Sequence, residues 1–147
     1  MILSNTLGIR YSWGMNTDGH QTPRYKVLIV DDEQKFCQTI EQFFTLKGYE
    51  VRAVRRGDEA LAMAGVFHPD VVLLDILMPG IDGVETLKAL KRLDPPPRVL
   101  MLSGVDHEDV MQGALKLGAD FYICKPADMA QLERLVHGFC PPIRIRR

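Results

Sequence analysis

From Lys26 onward, five short β-rich runs alternate with amphipathic segments of about three turns, the spacing of repeated βα units. The runs are KVLIV, YEVRAV, DVVLLD, RVLMLS and DFYIC. Three of them are apolar almost throughout, whereas a strand with one wet face alternates. This predicts interior parallel strands covered by helices on both sides. Between the runs, Phe36, Ile40, Phe43 and Phe44 fall on one helical face, as do Val84, Leu87 and Leu90, and then Leu132, Leu135 and Val136. Gly48 and Gly118 stand where helices should stop. Five strands and five helices in about 115 residues suit an α/β, doubly wound five-stranded parallel sheet. In such a sheet the chemistry lies beyond the carboxyl ends of the strands.

With 147 residues, 46% hydrophobic and 25% charged, the chain is long enough for one core and too short for two. The formal net charge of -1 supplies no overall field toward nucleic acid or anionic membrane. No stretch approaches the roughly 20 apolar residues of a membrane span, and the start MILSNTLGIRYSWGM lacks both a basic lead and a sustained apolar run. A cytoplasmic protein is expected. Cys37, Cys124 and Cys140 form no CxxC pair, which fits packed, reduced thiols rather than a disulfide frame or a zinc site. Residues 1–24 show no persistent period and read as an irregular leader, residues 25–139 as the domain, and residues 140–147, CPPIRIRR, as a short tail of solvated charge. No nucleic-acid-binding domain is visible.

The stretch VLIVDDEQKF drives a buried strand straight into a group of acids. Strand ending and helix capping by Asp31 and Asp32 would be the ordinary explanation. The residues at or just after the other strands argue for more: the third run ends at Asp75, the fourth at Ser103, and Lys125 follows the fifth. Three acids, a hydroxyl and an amine would therefore meet at one sheet edge. Two unit charges ~5 Å apart at an effective dielectric of ~20 repel by roughly 3 kcal/mol, and three carboxylates make three such pairs. One lysine does not cancel that. A divalent cation among them would, and oxygen ligands without a His or Cys cluster select a hard ion, Mg²⁺ or Mn²⁺. With Lys125 and Ser103 beside such an ion, one carboxylate is set up to attack phosphorus and form an aspartyl phosphate.

In VLIVDDE, PDVVLLDILMPGIDG, LSG and YICKP, with GDEAL and LGAD between them, the chain resembles the receiver domain of two-component response regulators over about Tyr25 to Phe139. The resemblance implies a flavodoxin-like sheet with strand order 2-1-3-4-5. It also implies that Asp75 accepts phosphoryl from a histidine kinase or histidine phosphotransfer protein. Mg²⁺ would be held by Asp31, Asp32, Asp75 and the backbone carbonyl of Leu77. Ser103 and Lys125 match the switch hydroxyl and the lysine of the family, Tyr122 matches its switch aromatic, and the peptide before Pro126 is expected to be cis. In MPGIDG, Pro79, Gly80 and Gly83 let the backbone approach the site before Asp82 caps the next helix.

The implied function is a freestanding signalling switch that catalyses its own phosphorylation and dephosphorylation. It would pass its signal by binding a downstream protein, or by homodimerising through the fourth helix, fifth strand and fifth helix. Leu77 and Val105 occupy positions that gate water in the family and are apolar here, which predicts slow phosphate loss. Two other readings compete. An aspartate-nucleophile phosphohydrolase would want a proton-donating acid where Leu77 stands, and a phosphorylation-independent scaffold would not need all of Asp31, Asp32, Asp75, Ser103 and Lys125. The chain could also be a piece of a longer regulator or hybrid kinase.

Overall fold

The computed structural model of the chain describes residues 2–4, 10–15, 21–78, 82–125 and 128–142. Three short strands come first: β1 (Ile2–Ser4), β2 (Arg10–Met15) and β3 (Gln21–Arg24). They pair antiparallel in the order β1-β2-β3, with Trp13 opposite Pro23 and Met15 opposite Gln21. Within residues 1–24, expected from the sequence to be an irregular leader, the described residues form these three strands. The physical signal of β2 is the alternation of Tyr11, Trp13 and Met15 with Ser12 and Gly14, the period of a strand.

The main sheet contains β4 (Lys26–Val30), β5 (Glu50–Val54), β6 (Val71–Leu74), β7 (Arg98–Ser103) and β8 (Phe121–Cys124), all parallel, in the order β5-β4-β6-β7-β8. Counted from β4, this is the order 2-1-3-4-5. The connections are α1 (Gln34–Leu46), α2 (Gly57–Phe67), α3 (Gly83–Lys91) and α4 (Glu108–Lys116), with α5 (Met129–Phe139) following β8. β4 and β6 are buried along their whole length and β7 is buried after Arg98, while the edge strands β5 and β8 carry exposed positions. The near-continuous apolar runs are therefore the central strands, as two-sided burial requires.

Alternate residues of each central strand face two cores. Leu28, Val30, Val72, Leu74 and Met101 pack under α2, α3 and α4, whereas Val27, Ile29, Leu73, Leu100 and Leu102 pack under α1 and α5 through Ile40, Phe44, Leu132 and Val136. Gly48 and Gly118 end α1 and α4 at φ 95° and 105°, a backbone region that a side chain would strain. Among the described residues no helix is long and apolar enough to cross a membrane. The cis peptide found among the described residues is Asp94–Pro95, and the bond before Pro126 lies outside them.

The pole opposite the strand ends is clamped by acids. Asp120 accepts from Lys91 Nζ at 2.6 Å, from the Val99 amide at 2.8 Å and from Arg98 at 3.0 Å. Burial works to raise its carboxyl, but the Lys91, Val99 and Arg98 bonds outweigh this and hold it below the ordinary carboxylate value. A depressed folded value stabilises the fold above the unfolded carboxyl's value near 3.9, and that stability is lost as pH falls through the folded value. Asp120→Asn is expected to cost about 1 to 3 kcal/mol at pH 7. In urea titrations the gap to wild type should narrow as pH falls below the unfolded carboxyl's value near 3.9, and a gap of unchanged size there would contradict this origin.

Candidate functional site

Three of the sequence-selected residues are fixed to strand ends by the backbone. The Asp31 amide donates to the Val54 carbonyl at 3.1 Å, the Asp75 amide to the Val30 carbonyl at 2.9 Å and the Lys125 amide to the Ser103 carbonyl at 2.9 Å. These bonds continue the parallel ladder one residue past β4, β6 and β8, so three functional side chains start from rigid positions. Asp31, Asp32 and Asp75 each bring a carboxylate oxygen within 4.8 Å of the others. Asp31 and Asp75 are buried at 2% and 7% exposure, while Asp32 is exposed and opens the group to solvent. Ser103 is fully buried, and its Oγ accepts the Val105 amide at 3.3 Å. Capping explains none of these: the N-cap positions of α1 and α4 are Glu33 and His107, neither with a side-chain bond. Asp82 is the true cap, accepting from the Glu85 amide at 2.8 Å.

Lys125 Nζ lies 2.5 Å from Asp31 Oδ2, 3.5 Å from Asp75 Oδ2 and 3.7 Å from Glu33 Oε2. Burial opposes the ammonium, yet the hydrogen bond and charge of Asp31, with Asp75 and Glu33 behind it, raise its affinity for the proton. Asp31 is also held above the ordinary carboxylate value, because desolvation outweighs the Lys125 bond and the Glu33 amide bond. One ammonium thus leaves a surplus of buried negative charge. The donor set is three carboxylates, which fits a hard divalent cation better than a soft one. The neighbouring thiols do not contribute a thiolate: burial pushes Cys37 up to about 11, and its Sγ donates to the Asp31 carbonyl. Cys124 is likewise raised, by desolvation and then by Asp106, so it lacks the thiolate character of a reactive cysteine.

Residues 27–137 match the profile of the response regulator receiver domain. The chain belongs to the response regulator receiver family. Sporulation initiation phosphotransferase F of Bacillus subtilis is 34% identical over 116 residues, covering 79% of this chain and 94% of that protein. Regulatory protein AtoC of Escherichia coli is 34% identical over 111 residues, which is 76% of this chain but 24% of AtoC, so the chain spans about a quarter of that relative. The structure of the CheX–CheY–BeF3–Mg²⁺ complex from Borrelia burgdorferi superimposes with a TM-score of 0.73 at 33% identity, covering 87% of this chain and 97% of that one.

In this receiver the loop after Asp75 returns close to the acid. The Leu77 amide donates to Asp75 Oδ1 at 3.2 Å, and the Gly83 amide donates to the Ile76 carbonyl at 2.9 Å. A Cβ at Gly83 would collide with the Asp75 carbonyl oxygen and with Ile76 Cα, so only glycine lets α3 start here. Pro79 and Gly80 lie outside the described residues. Tyr122 is buried, and its hydroxyl donates to the Val105 carbonyl at 2.7 Å, two residues beyond Ser103. Ser103, Val105 and Tyr122 are thereby mechanically joined. Two residues had no site role in the sequence reading, Glu33 and Phe36. Phe36 stands in the first turn of α1, and Lys125 Nζ lies over its ring, 4.2 Å from the centroid. Its membership of an apolar helix face concealed that placement.

Proposed function

We propose that this receiver takes up a phosphoryl group on Asp75 from a histidine kinase or histidine phosphotransfer protein, with Mg²⁺ held by Asp31, Asp32, Asp75 and the Leu77 carbonyl. The observation that carries the reading is the meeting of three carboxylates within 4.8 Å with Lys125 Nζ 3.5 Å from Asp75. A bound divalent cation would draw charge from phosphoryl oxygens. Asp75 supplies the attacking oxygen: a new O–P bond forms as the P–N bond of a phosphohistidine, or the P–O bond of an acyl phosphate, breaks. The leaving imidazole or carboxylate keeps the electron pair. In this reading Lys125 and Ser103 hold the transferred oxygens. Drawing Ser103 toward them would move Val105 and, through its carbonyl, Tyr122. That coupling biases the face of α4, β8 and α5, where Leu115, Leu117 and Phe121 are exposed for a downstream partner or a second copy.

The test is incubation with Mg²⁺ and acetyl phosphate. Intact mass should rise by roughly 80 Da in wild type and not in Asp75→Ala. Size exclusion of the same samples reports self-association. No increment in wild type would refute the reading.

Release of the phosphoryl group should be slow. Leu77, 64% exposed, and Val105, two residues beyond Asp75 and Ser103 respectively, have no polar side-chain atom to orient water, and Leu77 offers no proton for a hydrolase mechanism. Leu77→Asn combined with Val105→Glu is expected to speed phosphate loss by ~10-fold or more, followed as decay of the mass increment. An unchanged decay would contradict a water-gating role for these positions.

A further inference from the structure

We infer that Phe36 is a positioning residue for Lys125, holding the ammonium over the acceptor by cation–π attraction when the carboxylates around it are shared with a metal. The inference rests on the phosphoacceptor reading and adds to it a residue that no strand-end rule selects.

Phe36 is the third residue of α1 and begins the stripe that continues through Ile40 and Phe43. It packs against the core cluster of Ile40, Phe44, Leu132 and Val136 but remains half-buried. Over its ring lies Lys125 Nζ, 4.2 Å from the centroid. The other cation–ring pairs among the described residues are wider: Arg52 and Lys26 over Phe67 at 5.2 and 5.3 Å, and Lys47 over Phe43 at 5.7 Å. Of these pairs, the Phe36 one alone places the cation among catalytic carboxylates.

The ring does something the acids do not. Asp31 and Asp75 hold Lys125 in the metal-free protein, yet both are also the oxygen donors proposed for the metal. Sharing Asp31 weakens its hold on the ammonium, which would otherwise turn outward to water on a flexible four-carbon stem. An aromatic face attracts an ammonium but does not compete with oxygen ligands for a hard, hydrated divalent ion. Phe36 also covers one side of Nζ from solvent, which strengthens the remaining interactions of the lysine. Lys125 is thereby kept within reach of Asp75 at the moment the phosphoryl group arrives. Positioning of this kind acts on the chemical step more than on donor binding.

Two measurements decide it. In metal-free wild type, the ε-methylene protons of Lys125 should resonate upfield of free lysine through the ring current of Phe36, and the shift should vanish in Phe36→Leu, which keeps apolar packing. With Mg²⁺ and saturating acetyl phosphate, Phe36→Leu should take up phosphoryl roughly 3- to 10-fold more slowly, as loss of one cation–π contact predicts. Phe36→Tyr, which preserves the ring, should match wild type within about two-fold. Equal uptake by wild type and Phe36→Leu, or a Lys125 signal at the free-lysine position, would overturn the inference alone. No uptake by wild type would overturn the phosphoacceptor reading and this inference with it.

Discussion

Lys125→Met is expected to destabilise the metal-free protein by about 3 kcal/mol or more and to slow phosphoryl uptake by ~100-fold. Among the described residues the lysine is the one cation within 4 Å of both buried acids, 2.5 Å from Asp31 and 3.5 Å from Asp75, which are 2% and 7% exposed. Removing it leaves two carboxylates with no counter-charge in a site that water reaches from the Asp32 side. Breaking a buried pair from one side costs far more than the pair contributes, because the remaining charge is uncompensated. Asp31, already held above the ordinary carboxylate value, responds by taking up a proton, so the loss should shrink as the medium becomes acidic. Added Mg²⁺ should restore much of the stability without restoring uptake, since charge is replaced but the group aimed at the transferred oxygens is not. Urea titrations in EDTA and in Mg²⁺, beside uptake from acetyl phosphate, separate the two effects. Equal urea midpoints for wild type and variant in EDTA would refute the account.

The same residues explain which parts of the protein are legible in its sequence. The central strands are, because burial on both faces leaves KVLIV, VVLL and VLMLS with no polar position to alternate. The acids are as well: a carboxylate placed right after such a strand has nowhere to go but the sheet edge. The small N-terminal sheet is harder to see. β2 has a strand's period, but its partner β3 reads QTPR, with no apolar alternation and with a proline that only an edge strand accepts. Ser103 and Lys125 are legible only in combination, since a lone serine or lysine after a strand carries no information about its neighbours. Phe36 and Glu33 escape for a different reason. Their role depends on where the Lys125 side chain ends, after crossing from β8 to β4, and no local pattern encodes that reach. Phe36 in particular satisfies the apolar stripe of α1 so well that periodicity assigns it to the core and stops there.

Asp31→Asn should have the opposite sign to Lys125→Met: a more stable metal-free protein that no longer binds Mg²⁺. The two partners of one ion pair differ because their surroundings do. Lys125 loses the Asp31 charge in this variant but keeps Asp75 at 3.5 Å, Glu33 at 3.7 Å and the Phe36 ring at 4.2 Å. The carboxamide oxygen of the variant would still be able to accept the Glu33 amide that Asp31 Oδ1 accepts at 2.9 Å, so the turn into α1 retains its bond. What disappears is a buried charge whose desolvation already outweighs the help of Lys125 and the Glu33 amide, as its raised carboxyl value records. A raised folded value contributes stability that is fully present below the unfolded carboxyl's value near 3.9 and is lost as pH climbs through the folded value. In EDTA the advantage of Asp31→Asn over wild type should therefore open over that interval, and the variant should be ahead by on the order of 1 kcal/mol at pH 7. Adding Mg²⁺ should reverse the ranking, because only wild type presents the full set of carboxylates. Function is then what keeps an aspartate at this position, against the preference of the folded chain. A variant less stable than wild type in EDTA at pH 7 would show instead that the ion pair, and not the metal, is the reason for the charge.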